Sequence, residues 1–139
     1  MDLATLMFIA YRAMNDRVIA AMRDAGFNVT EAQARIAQRI AEEGSRLTDL
    51  AEQAQVTKQT ASALVDHLER AGYVRRVTDP ADARATLVVF AARGRKAIAV
   101  ARQVEAEVHA EWETHLGRRR TRTLRDSLER LREITDPYA

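Results

Sequence analysis

The chain contains no cysteine, which excludes disulfides, zinc–thiolate sites and thiol redox sensing. Only five glycines and two prolines occur in 139 residues, so helices can run long with few interruptions. Aromatic residues make up 5% of the chain. Alanine, leucine and valine supply most of the apolar volume instead, a composition that favours helices over a β-sandwich. The longest apolar runs, at residues 6–11 and 87–92, are far shorter than the ~20 residues a bilayer crossing needs. No basic region precedes an apolar one at the N-terminus, so no signal peptide is read there, and a cytoplasmic protein without a membrane partner is expected.

What is present is a hydrophobic fraction of 47%, enough for a core, and a small net charge of +2. The charge is unevenly spread. Residues 70–96 hold seven basic and two acidic residues, a net +5, which leaves −3 for the rest. A basic centre on a slightly acidic body suits binding to a polyanion.

The apolar spacing predicts six helices and one hairpin. Leu3, Leu6, Met7, Ala10, Tyr11, Met14, Val18 and Met22 recur at three and four, the helical period, and Gly26 closes that helix. Thr30 with Gln33 reads as a capping box that opens a second helix to about residue 41. A short helix over 46–53, with Ser45 as its cap, precedes a helix over 57–71 capped by Thr57 and closed by Gly72. Only Ala54, Gln55 and Val56 separate them, and two helices joined so tightly cross steeply, as in a helix-turn-helix. Valine-rich extended runs at 73–78 and 86–90 then flank the polar stretch 79–85, which predicts a hairpin with a long loop that opens at Pro80. Helical spacing returns over 93–115 and again over about 120–134.

The helix at 57–71 has the division a groove-reading helix needs. Ala61, Leu64, Val65 and Leu68 form its apolar back. Lys58, Gln59 and Ser62 face outward, with Thr57 and Thr60 at its open N-terminus. Gln59 carries the donor–acceptor pair that bridges adenine, and Lys58 reaches guanine or phosphate. Thr57 and Thr60 suit phosphate oxygens. In the hairpin, Arg75 and Arg84 add positive charge, and Arg84 at the tip suits a narrow minor groove. Asp82 stands two residues earlier, able to accept bonds from Arg84 or loop amides and so fix the loop.

These residues carry a resemblance. Leu50-Ala51, Val56-Thr57-Lys58, Leu64-Val65-Asp66-x-Leu68-Glu69 with Gly72, the wing Asp79-Pro80-x-Asp82-x-Arg84, and Gly94 together resemble the MarR (multiple-antibiotic-resistance regulator) family of winged helix-turn-helix transcription regulators. The chain departs from the family pattern where the turn commonly has glycine and this sequence has Gln55. It departs again at Ala81 and Ala83, where the wing often carries extra basic residues. The resemblance implies a mainly α fold with a small β-hairpin wing, 1–139 forming a single domain. Its winged helix-turn-helix would span about 30–92, and its dimerisation helices about 2–25 and 105–136. It also implies a homodimeric repressor on a pseudo-palindromic duplex DNA operator, released by a small, often aromatic, effector. Phe8, Tyr11 and Arg12 would be candidate effector contacts, although Phe8 and Tyr11 also read as ordinary core.

Other signals carry less. Glu105/His109 and Glu111/His115 each stand four apart and read as a solvated helix face rather than a metal site; His67 lies on the presumed recognition helix. The arginine run 118–125 opens the last helix, where positive charge opposes the dipole, and reads as solvated surface or as an intersubunit partner for glutamates of the preceding helix. No catalytic constellation is recognisable, so neither enzyme activity nor a cofactor is expected. The alternative to a DNA regulator is a winged-helix protein-interaction module, against which Lys58, Arg75, Arg76 and Arg84 weigh.

Overall fold

The computed structural model describes residues 1–138. Its elements are α1 (Leu3–Asp24), α2 (Glu31–Ala37), α3 (Leu47–Gln53), α4 (Lys58–Arg70), β1 (Val74–Asp79), β2 (Asp82–Phe90), α5 (Ala92–Leu116) and α6 (Arg118–Thr135). The fold is mostly helical with one antiparallel hairpin.

Local chemistry sets most of the boundaries. The Asp2 carboxylate accepts from the Thr5 amide and caps α1. Thr30 and Gln33 form the reciprocal capping box at α2. Thr57 accepts from the Thr60 amide and caps α4. Each cap satisfies one of the amides that a helix start leaves without an intrahelical partner.

Two boundaries differ from the sequence reading. Helix α2 stops at Ala37, not near residue 41. The amides of Arg39 and Ile40 bond three residues back, to Ile36 and Ala37, a tightened turn that brings Ile40 into the core. Ser45 does not cap α3; Arg46 holds that position without a side-chain bond. Ser45 instead exchanges both backbone bonds with Val88 at 3.0 and 2.8 Å, adding a short third rung to the wing, while its hydroxyl accepts from the Ala41 amide.

The core lies under the helix-turn-helix. Ile36, Leu50 and Val65 are fully buried, joined by Ala61, Leu68, Tyr73, Val74, Val88 and Ala97. α4 buries the predicted stripe, with Leu64 only half-covered. Gly94 presses the first turn of α5 onto Tyr73: a Cβ there would lie 2.1 Å from the Tyr73 carbonyl oxygen. That approach requires glycine and fixes where α5 leaves the wing.

α1 packs along α5, and α6 folds back on α5 after Gly117. Arg17 of α1 grips Glu111 of α5 with two hydrogen bonds. Beyond these contacts a large apolar surface is left uncovered. Leu3, Leu6, Met7, Phe8, Ile9 and Tyr11 on α1 are exposed, as are Leu124, Leu128, Leu131 and Ile134 on α6. Phe8 and Tyr11 are therefore not core within the chain. No helix among the described residues is long and apolar enough to cross a membrane.

Candidate nucleic-acid interface

The turn between α3 and α4 presents the recognition helix. Gln55 adopts φ +57°, the left-handed conformation that glycine takes freely and other residues take at a cost. This explains the departure noted at this position: the turn needs that conformation, and Gln55 supplies it with help from its own side chain, which donates to the Glu52 carbonyl at 2.9 Å.

Lys58, Gln59 and Thr60 are exposed on the first turn of α4, and Ser62 is half-buried. The Thr57 hydroxyl is committed twice, accepting from the Thr60 amide at 3.0 Å and donating to the Thr60 hydroxyl at 2.9 Å. Thr60 keeps its own proton free to donate onward, so of the two threonines it is the better phosphate donor. One and three turns further on, Ala63 and Arg70 share the exposed face of Gln59. Arg70 also bonds His67 at 3.2 Å. Ala63 and Arg70 were missed from sequence, although a spacing of four and eleven from Gln59 places them on its face.

The wing differs from the long loop expected at 79–85. Only Pro80 and Ala81 form the turn, and β2 already begins at Asp82. Register runs from Val74↔Phe90 to Thr78↔Thr86 and then slips to Asp79↔Asp82. Residues 83–85 therefore have no opposite partner, and Arg84 stands in a bulge at the wing tip. Its side chain is 92% exposed. The Asp82 carboxylate accepts from the Arg84 amide at 3.0 Å and lies 3.4 Å from its Nε, so the acid shapes the bulge and leaves most of the guanidinium free.

Two ion-pair groups brace this wing, and neither was assigned that part in the sequence reading. Asp79 is buried; it accepts from the Ala81 amide at 2.8 Å and from Arg46 at 2.8 and 3.1 Å. The amide first, and then the guanidinium, hold its carboxyl below the usual range. At the wing base Arg76 donates to Glu69 at 2.7 Å and to Asp66 at 2.9 Å, and its amide also donates to Glu69. Arg76 is thus spent on α4, whereas the neighbouring Arg75 is exposed on β1. Alternation along a strand foretells that division in general; which arginine turns toward α4 depends on where Asp66 and Glu69 fall.

The candidate effector residues lie elsewhere on α1. The Arg12 guanidinium stands 5.9 Å from the Phe8 ring centre, and all three side chains are exposed. Two cavities lie further along the helix. One of about 300 Å³ is mostly apolar and sits between α1, α2, α5 and the wing base, with Met22, Tyr73, Phe90 and Ala97 in its wall and Arg102 and Glu105 among its polar groups. The other, about 520 Å³ and open, runs from Asp16 and Arg23 to Phe27 and Glu31. Phe8, Tyr11 and Arg12 line neither.

Among the described residues no cluster of three or more potential metal ligands occurs. Glu111 of the Glu111/His115 pair is held by Arg17, which keeps its carboxyl below the usual range. In the arginine run, Arg118 lies 3.4 Å from Glu113 of the preceding helix, within the same chain.

Comparison with known proteins agrees with this geometry. Residues 27–85, which hold α2 to the wing bulge, match the MarR family. This lobe is similar to the MarR family. Solved structures extend the likeness beyond the lobe. Transcriptional regulator Tm0710 from Thermotoga maritima is 29% identical, with 94% of this chain and 91% of that one covered and a TM-score of 0.66. MarR itself is 25% identical, with 96% of each chain covered and a TM-score of 0.75. S. aureus MepR shares the fold at lower identity in two states. Bound to ethidium bromide it is 19% identical, covering 94% of each chain at a TM-score of 0.67. As the F27L mutant bound to an oligodeoxyribonucleotide it is 18% identical, covering 94% of this chain and 96% of that one at 0.64. No curated protein sequence matches the chain.

Proposed function

We propose that the chain is a sequence-specific DNA-binding transcription regulator, a homodimeric repressor released by a small ligand. One observation carries the DNA-binding reading. The uncovered first turn of α4, with Lys58 and Gln59, and the free guanidinium of Arg84 belong to one braced unit of recognition helix and wing. In this reading Lys58, Gln59 and the half-covered Ser62 meet base edges in the major groove. Thr60, the first-turn amides of α4 and Arg75 hold phosphates. Thr57 shapes that turn, Arg84 enters the minor groove, and Asp82 fixes its approach.

The exposed apolar faces of α1 and α6 support the dimer. Exposed apolar residues such as Leu6, Met7, Phe8 and Ile9 on one helix and Leu124, Leu128 and Leu131 on another are the kind of surface that a second copy covers. A two-fold dimer would present two α4 helices to a pseudo-palindromic site about one helical turn apart.

The cavity of about 300 Å³ supports the ligand part. It is walled by α1 and α5 on one side and by Leu68 of α4 and Val74 of β1 on the other. A small apolar, ring-bearing ligand fits such a space, and its occupancy would couple α1 and α5 to the DNA-binding lobe.

The test is binding of the purified protein to a pool of random duplexes over a salt series, with sequencing of what is retained. A recovered pseudo-palindrome, with affinity falling steeply as salt rises, is the expected result. Retention of no duplex even at low salt would overturn the reading.

A further inference from the structure

Arg93 belongs to the basic centre of the sequence, yet its guanidinium does not point away from the protein as a phosphate contact would. It donates to the Ala71 carbonyl at 2.6 Å and to the Gly26 carbonyl at 3.2 Å. The same group lies 4.7 Å from the Tyr73 ring centre and 5.9 Å from that of Phe27, two rings that themselves meet edge-on at 6.3 Å. Ala71 is the C-cap of α4 and Gly26 follows the end of α1. One cation thus sits at the negative ends of two helices, bonding the C-cap carbonyl of α4 and the carbonyl just past the cap of α1. Its own base is fixed, because Ala91 bonds the Tyr73 carbonyl at 3.0 Å and Gly94 abuts it.

We propose that Arg93 is a positioning residue for the DNA-binding surface, clamping the C-terminal end of α4 to the end of α1 rather than contacting phosphate. The proposal rests on the DNA-binding reading above. Leverage gives the clamp its effect. α4 has 13 residues, about 20 Å of helix, with the clamp at one end and Lys58 and Gln59 at the other. A tilt of about 10° at the clamp would carry the reading end about 3 Å, further than a hydrogen bond tolerates. Lysine cannot replace this group, since a single ammonium does not span two carbonyls and stack on two rings together.

The test compares wild type, Arg93→Gln and Arg93→Lys on one selected duplex across a salt series, each checked by its thermal transition and measured where it is fully folded. The expected result is a loss of affinity of roughly tenfold in both variants, with the slope of log affinity against log salt unchanged. A phosphate contact behaves otherwise: glutamine would lower the slope by about 0.9 and lysine would preserve both slope and affinity. That pattern, or wild-type affinity in both variants, overturns the proposal. Failure of the wild-type protein to bind any duplex is a different result, which removes the DNA-binding reading and this proposal with it.

Discussion

At the scale of single residues, the candidate interface divides into exposed groups placed to meet DNA and groups that hold them in place. Gln59 is exposed on the first turn of α4 with no side-chain partner among the described residues, as a base-reading amide must be. Gln59→Ala should relax preference at one position per half-site by about 1–3 kcal/mol, measured by competition among single-base operator variants; an unchanged preference profile would show that Gln59 reads no base. Gln55 tests the opposite kind of residue. Gln55→Gly removes the strain of a left-handed backbone and should raise stability by about 1 kcal/mol in denaturant unfolding. A loss instead would mean that the side-chain bond to Glu52 outweighs that strain.

Asp79 makes a pH prediction. Its folded pKa lies below the ordinary value because the Ala81 amide and Arg46 favour the charged form. Its contribution is therefore complete above the unfolded pKa, about 3.9, and fades as pH falls through the lower folded value. Asp79→Asn should lower the thermal midpoint at pH 7, and the gap from wild type should narrow below about pH 4. A gap of constant size down to pH 2.5 would assign the effect to shape rather than charge.

At the scale of elements, the helices were legible in the sequence because caps and apolar spacing are local signals. Thr30, Thr57 and the stripe Ala61–Val65–Leu68 needed no tertiary information. The end of α2 was hidden because no glycine or proline marks it; the chain turns early so that Ile40 reaches the core. The third rung at Ser45 was hidden because its partner, Val88, is 43 residues away. The slip that leaves residues 83–85 unpaired also follows from pairing, which composition does not reveal. Of the candidate site, the exposure of Lys58, Gln59 and Arg84 was readable, whereas the bracing work of Arg46, Arg76 and Arg93 depends on carboxylates and carbonyls brought close by the fold. The apolar stripe of α6 was readable too, but not that only Thr121 of that helix would be buried. Leu128→Asp places a charge in that uncovered stripe, where a monomer would tolerate it. It should convert a dimer into monomers of 15.6 kDa by light scattering at unchanged helix content, and a dimer of undiminished stability would exclude α6 from the contact.

At the scale of the molecule, ion pairs and packed helices link the parts into one rigid unit. The wing is braced at its tip through Arg46 and Asp79 and at its base through Arg76, Asp66 and Glu69. α4 therefore carries Arg84 with it, and α5 links that unit to the arm formed with α1 and α6. Two such units joined through their arms would set a fixed spacing between recognition helices. A hydroxyl-radical footprint on a selected duplex measures that spacing most directly. The predicted pattern is two protected half-sites about 10 base pairs apart, each with a flanking minor-groove patch that disappears in Arg84→Ala while the central protection stays. Uniform protection without half-sites, or a flanking patch that survives loss of Arg84, would contradict the account.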